Sequence, residues 1–322
     1  MGKFLLLAVG AGLASAILNL SVMSGSPVGL PLAYLAPLPL FLVAFSQGHT
    51  SVAIAAVCGS ITMTAVIGPI MGAAFFLTTG LAPMILSRQA LQWREGTDGS
   101  QNWYPVGRLL TLLAGLTAIF FLMVLAGFST HDGGLPKAVE LYMLEAANNY
   151  DQLAGENQTP AMTTFAEAIR NAAPEASRML PGMVALSWML SVMLNGVLAQ
   201  SILTRSERNF RPTPEYAQLE LPRALSYGVT ATLVLSFFPG IVGFAAGTLA
   251  AILIWPYFIL GLIVIHVISR RFSARYMLLA AVYLILLALA WPAALVAGIG
   301  LMDQWMGLRR QYGIPSDDQE KE

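Results

Sequence analysis

Apolar residues fall along this chain in long blocks rather than in short alternations. The blocks occupy about 4–22, 30–46, 51–67, 70–88, 106–127, 179–203, 222–238, 241–268 and 274–302. A run of about 20 residues is what a helix needs to cross a hydrocarbon core of about 30 Å, where every backbone polar group must be satisfied within the segment. The pattern predicts an all-α, polytopic helical membrane protein with about nine transmembrane segments, eight or ten being the alternatives. Only Gly68 and Pro69 separate the third and fourth runs, and only Pro239 and Gly240 the seventh and eighth, which predicts tight hairpins. Trp291 and Pro292 interrupt the last run, which reads either as one tilted helix or as two short re-entrant halves. Lys3 and Ala14-Ser15-Ala16 imitate a signal peptide. The apolar character continues through Ile17, Leu18, Leu20 and Val22, so the first run reads as an uncleaved helix.

One long segment breaks the pattern. Residues 128–178 carry Asp132, Glu140, Glu145, Asp151, Glu156, Glu167 and Glu175 against Lys137, Arg170 and Arg178, a net charge of −4. Within it Leu135, Ala138, Val139, Tyr142, Met143, Ala146, Tyr150 and Leu153 recur at helical spacing, with Pro136 suited to a first turn. A second, shorter helix is signalled by Thr159 as N-cap, Pro160 at the first helical position, and a stripe of Met162, Phe165, Ile169 and Ala172. The segment is expected to be an extracytoplasmic helical loop, either a plain cover for helix ends or a lid over a pocket. The chain thus divides into N-terminal membrane helices (1–127), the acidic loop (128–178), C-terminal membrane helices (179–308) and a polar tail (309–322).

Composition supports this division. Lys plus Arg and Asp plus Glu number 17 each among 322 residues. That is 11% charged, where soluble domains carry roughly 25%. So few charges cannot dress a soluble surface, which excludes a cytosolic enzyme, a nucleic-acid binder and a disordered scaffold. The bilayer is the expected partner. Basic residues gather near span ends: with the N-terminus cytoplasmic, 11 of the 17 fall inside and three fall in the acidic loop outside. The single cysteine, Cys58, permits no intrachain disulfide.

No Asp, Glu, Lys or Arg lies in the middle of a predicted span, which argues against a proton-driven pump or a charged ion filter. Zinc-hydrolase, nucleophile-elbow and phosphate-loop signatures are missing, and His49, His131 and His266 are too scattered for a shared metal. No catalytic residue, metal or cofactor is therefore expected. Polar uncharged residues within spans are the remaining candidates. Ser187, Ser191 and Asn195 repeat every four residues, with Gln200 beyond, and Asn19 ends the first run. Such a stripe is either inter-helix glue or a small-ligand lining, with Asn19, Ser187, Ser191 and Asn195 as the binding candidates. Ala8, Gly12 and Ala16 form a small-xxx-small face suited to internal packing or to docking on another membrane subunit.

Two late segments, 258–271 and 298–310, resemble the YybS-like family of membrane proteins. Gly300, Leu301, Asp303, Trp305 and Arg309 take the places of that family's Gly-Leu-x-Asp-x-aromatic-x-x-x-Arg ending. Near the start, Tyr34-Leu-Ala-Pro-Leu-Pro-Leu40 resembles its Pro-rich second helix. Gln47 stands where an Arg is often found. The N-terminal helices are distantly similar to substrate-binding subunits of energy-coupling-factor transporters, which dock through small-residue faces and hydrolyse nothing. The spans, the lid-like acidic loop and the absence of charged residues within spans lead to the expectation of a non-catalytic bacterial inner-membrane protein that binds a small molecule and is transport-related. A structural or assembly factor is the alternative, and an intramembrane lipid-modifying enzyme a third.

The terminal motif, Asp303 with Arg309 and Arg310, carries its own expectation. Six residues along one straight helix turn through about 240° net, so Asp303 and Arg309 would lie on different faces. Asp303 is expected either to be solvated or to meet a basic residue of another element, Arg270, Arg271 or Arg275, should the last run double back.

Overall fold

The computed structural model of the chain describes residues 2–97, 99–154, 160–289 and 291–312. The first half runs α1 (Gly2–Leu20), α2 (Gly29–Tyr34), α3 (Pro37–Gln47), α4 (His49–Val66), α5 (Pro69–Phe75), a π-helical turn (Phe76–Gly80) and α6 (Leu81–Ala90). A short antiparallel hairpin, β1 (Trp93–Glu95) and β2 (Gln101–Trp103), pairs Trp93 with Trp103. The second half comprises α7 (Val106–Gly127), α8 (Gly134–Ala154), α9 (Pro160–Arg205), α10 (Arg223–Leu235), α11 (Gly240–Ser269), α12 (Arg275–Ala288), α13 (Pro292–Met306) and α14 (Leu308–Tyr312). The protein is an all-α polytopic membrane protein. Among the described residues, seven helical segments are long and apolar enough to cross a bilayer.

Two of the nine apolar runs take a shorter form. The run at 222–238 yields α10, of 13 residues. The last run yields α12 and α13, of 14 and 15 residues. At 1.5 Å per residue these are about 20–23 Å long, short of a 30 Å core. Leu289 is extended at the C-cap of α12, and Pro292 starts α13 where its missing N–H costs nothing. Two short halves, rather than one tilted helix, are therefore what the Trp291-Pro292 interruption produces. The hairpin at 68–69 forms as expected. Gly68 has φ +137°, a backbone that side chains rarely tolerate, and Pro69 begins α5 at once.

The acidic segment differs more. Its second helix is no separate element: α9 continues from Pro160 to Arg205 over 46 residues, through Pro174 and Pro181. The boundary drawn at 178 falls inside it. No glycine intervenes between 171 and 180, the helix runs on past Pro174, and the Ser177 hydroxyl donates to the Pro174 carbonyl. Thr159 and the tail beyond 312 lie outside the described residues.

Chain contacts divide the protein into two compact units. The first holds residues 1–113, 188–222 and 256–322. Its core includes Ala8, Leu40, Val43, Ala44, Val52 and Ala55, with a second cluster of Ala16, Met63 and Phe75. The Ala8, Gly12 and Ala16 face is buried against α4, where a Cβ on Gly12 would stand 2.3 Å from the Ala55 carbonyl oxygen. Internal packing thus occupies this stripe. A second close crossing joins α11 to α13. A Cβ on Gly261 would lie 1.9 Å from the Val296 oxygen, and one on Gly300 2.0 Å from the Tyr257 oxygen.

The second unit holds residues 114–187 and 223–255. Here Leu135 and Ala147 of α8 and Ala166 and Ala173 of α9 are buried. Arg170 pairs with Asp151 and donates to the Asn148 side-chain oxygen at 3.0 Å, and Tyr150 meets Phe165 with ring centroids 5.3 Å apart. The inward face is rotated from the expected stripe. Tyr142 is 75% exposed and Phe165 53%. Small residues are thus the buried ones here, and the larger rings stay exposed.

The α11–α13 crossing gives a controlled test. Gly300→Ala should lower thermal stability by roughly 1–3 kcal/mol, because its methyl meets backbone rather than a yielding side chain. Gly298→Ala, with nothing within 4 Å of its Cβ, should be neutral or stabilising by up to about 1 kcal/mol. Equal melting temperatures for the two purified variants would refute the close crossing.

Candidate functional site

Most hydroxyls of the helices bond a carbonyl three or four residues back in their own helix, as Thr62 does with Cys58 and Thr230 with Ser226, and a few polar side chains reach the backbone of other segments. Pro37 and Pro39 bring no N–H to the helix ladder, and regular helix is interrupted between α2 and α3, where distant side chains donate to the Tyr34 and Ala36 carbonyls. Ser15 Oγ donates to the Ala36 oxygen at 2.6 Å. Ser191 Oγ and Asn195 Nδ2 both donate to the Tyr34 oxygen, at 2.9 and 2.7 Å. Within the π-helical turn the Thr78 carbonyl accepts from Trp188 Nε1 at 2.6 Å. Asn19 Nδ2 donates to Thr79 Oγ1 at 3.4 Å, and Ser187 is exposed. The four binding candidates are therefore not gathered around one cavity. Ser191 and Asn195 act as glue. Asn195 Oδ1 is buried with no partner among the described residues.

The cavity lies elsewhere in the first unit. It has a volume of about 130 Å³ and is partly open. Its apolar wall comes from Phe41 and Phe45 of α3, Leu86 and Ala90 of α6, Val106, Leu109, Leu110 and Leu113 of α7, and Val192, Met193, Gly196 and Val197 of α9. Gln200, Arg211, Pro214 and Tyr216 close one end.

Three of those four belong to a strap, residues 206–222, which joins α9 to α10 with only a single 3-10 turn, Tyr216–Gln218. Irregular backbone packed on apolar helices must find outside hydrogen-bond partners. Arg211 is 7% exposed and staples one end, donating from Nη1 to the Ala90 oxygen at 3.0 Å and from Nη2 to the Tyr104 oxygen at 2.9 Å. The Arg211 carbonyl accepts from Gln200 Nε2 at 2.7 Å and from Asn209 Nδ2 at 2.6 Å. Burial disfavours the charged guanidinium and lowers its pKa, with Tyr216 partly opposing the shift. Burial also raises the Tyr216 pKa, against a smaller opposite pull from Arg211, which keeps the phenol a neutral donor at physiological pH.

The other end of the strap is held by the terminal motif. Arg309 donates from Nη1 to the Ala217 oxygen at 2.6 Å and from Nη2 to the Leu219 oxygen at 2.8 Å. Gln304 Nε2 donates to the Leu221 oxygen at 2.9 Å. The expectation that Asp303 would meet Arg270, Arg271 or Arg275 is corrected: its partner is Arg309, through Nε at 2.8 Å and the backbone N–H at 2.9 Å. The argument from a straight helix fails because Gly307 ends α13 at φ +64° and turns the chain back. The side chain of Asp303 is 2% exposed and that of Arg309 14%, so this pair is desolvated. Arg310 reaches Glu220 at 2.6 Å in the open, a pair worth little.

Tyr216 also borders a second cavity, of about 330 Å³, lined by Ala217, Ile259, Leu262, Ile263, His266, Val267, Arg270 and Tyr283. His266 Nδ1 lies 2.9 Å from the Leu262 oxygen, and its ring meets Tyr283 edge-on. Arg211 and Tyr216 were not distinguishable as site residues in the sequence, where Arg211 is one of several basic residues at a span end.

The clamp predicts a specific pattern. Arg309→Ala should cost roughly 3–5 kcal/mol, because it strands the buried Asp303 carboxylate and unpairs two strap carbonyls. Adding Asp303→Asn to it should recover part of that loss, read as melting temperature of the purified protein. A double variant no better than Arg309→Ala would show that the carboxylate is not stranded.

A family model described as a predicted membrane protein family, DUF2232, matches residues 13–304. No curated protein and no solved structure matches the chain. The matched residues take in both the apolar helices and the cavity-lining strap, and by that extent the chain belongs to the predicted membrane protein family DUF2232.

Proposed function

We propose that this membrane protein is a non-catalytic receptor for a small, largely apolar molecule, held in the cavity beneath the strap and passed on as part of a transport-related process. One observation carries the reading: an apolar cavity of about 130 Å³ is closed at one end by polar side chains that a built strap holds in place. Apolar walls with a few fixed polar groups are the usual make-up of ligand pockets, and a dry cavity of roughly 150 Å³ holds a benzene-sized body. The resemblance to YybS-like proteins and to transporter binding subunits agrees with this reading. A second reading, an assembly factor, draws on the exposed Leu141, Tyr142 and Phe165 of the α8–α9 hairpin.

The two are separated by thermal shift on the purified protein with a panel of vitamins, nucleosides and lipid head groups, run beside Gly196→Leu. A Cβ at 196 would make only ordinary contact with the Phe41 ring, so a leucine can enter the cavity space without disturbing the backbone. A true ligand at 100 times its Kd stabilises by about 2.7 kcal/mol, and the variant should lose that gain. No stabilisation across the panel, with a stoichiometric membrane-protein partner on pull-down, would favour the assembly factor.

The basic residues support a cytoplasmic N-terminus in a bacterial inner membrane, with the strap inside and the α8–α9 hairpin outside. In a Cys58→Ser background, Glu140→Cys should react with an impermeant maleimide in intact cells and Arg208→Cys should not. Reaction of both from outside would discard this orientation.

A further inference from the structure

The Arg211 guanidinium is more than a staple. It is buried, it borders the cavity, and both of its recorded hydrogen bonds go to neutral carbonyl oxygens. Among the described residues no carboxylate pairs with it. The Ala90 carbonyl belongs to the last residue of α6, where the helix end contributes roughly half a negative charge. That offsets only part of a full cation. A desolvated charge is costly unless paired, so this end of the cavity favours an anion. Gln200, 8% exposed, and the neutral phenol of Tyr216 border the same end. Both can donate a hydrogen bond to an oxyanion. The opposite wall, Leu110, Leu113, Val192 and Phe41, offers no polar side chain.

We infer that the ligand of this cavity is an anionic amphiphile, a carboxylate or phosphate bearing a short hydrocarbon body, with its oxyanion at Arg211 and its apolar part along α7 and α9. The inference rests on the receptor reading above and adds the charge of the ligand. A guanidinium suits both carboxylate and phosphate, since its planar N–H groups match two oxygens at once. Either a free amphiphile or a phosphate-bearing lipid could present that chemistry.

The test uses the full chain in zwitterionic lipid nanodiscs with four probes of equal chain length: hexanoate, hexyl phosphate, 1-hexanol and hexylammonium. Apparent Kd is read from ligand-dependent melting. The anions should bind at least tenfold tighter than hexanol, and hexylammonium weaker still. Gly196→Leu should abolish the anion effect, which separates the cavity from bulk partitioning. Arg211→Lys should retain an anion preference and Arg211→Gln should lose it. Should Arg211→Gln fail to fold, the probe series on the unaltered protein still decides. A parallel arm replaces free probes with nanodiscs containing phosphatidic acid. Stabilisation in either arm that Gly196→Leu abolishes supports the anion site, and the arm names the source. Hexanol binding as tightly as the anions, and lost in Gly196→Leu, overturns the anion inference while the receptor reading stands. No binding by any probe or lipid overturns both.

Discussion

Backbone carbonyls that have lost their helical partners are the constraint on which the first unit depends. A helix in lipid satisfies itself, but this chain breaks its helices at the prolines after Tyr34, at the π turn around Thr78 and along the strap of 206–222. Each break is answered by a side chain from a distant part of the sequence: Ser15 for Ala36, Ser191 and Asn195 for Tyr34, Trp188 for Thr78, Arg211 for Ala90 and Tyr104. Arg309 does the same for Ala217 and Leu219. Net values for such bonds are about 1 kcal/mol each, but leaving a buried carbonyl bare costs more than making the bond gains. The polar residues of the spans are thereby accounted for chiefly as architecture.

The same requirement shapes the cavity. A strap without regular structure can lie against α3, α6, α7 and α9 only if both of its ends are tied. The ties are cationic because one guanidinium can reach two carbonyls at once. At the far end the charge of Arg309 is matched by Asp303. At the near end Arg211 has no such match among the described residues, and that asymmetry singles out this end of the strap as the chemically unusual one. The close glycine crossings of α1 on α4 and of α11 on α13 bring backbones together and fix the helices that carry these groups.

Much of this was legible in the linear pattern. Apolar length located the spans, Gly68 with Pro69 marked a hairpin, and small residues at 8, 12 and 16 marked a packing face. Each is a local property that survives any tertiary arrangement. What stayed hidden depended on a single backbone dihedral or on a partner far along the chain. Asp303 and Arg309 meet because Gly307 is left-handed, which helical geometry cannot anticipate. The continuity of α9 through two prolines was hidden because a proline is equally a start or a bend. The phase of α8 was misplaced because Tyr142 and Tyr150 count as apolar, while Ala147 and Ala173 are the residues buried. Arg211 carried no mark in composition, since its distinction is burial, and burial is tertiary.

Tyr216 stands in the walls of both cavities. One residue of the strap therefore contributes to the lining of both. An occupant that displaces that residue in one cavity changes the lining of the other, and such linkage is reciprocal in free energy. Tyr216 opens a three-residue turn, and Arg309 binds the carbonyl of Ala217 within it and that of Leu219 just after it. The buried acid–base pair at 303 and 309 thus reaches, through one guanidinium, the stretch of strap that lines both cavities.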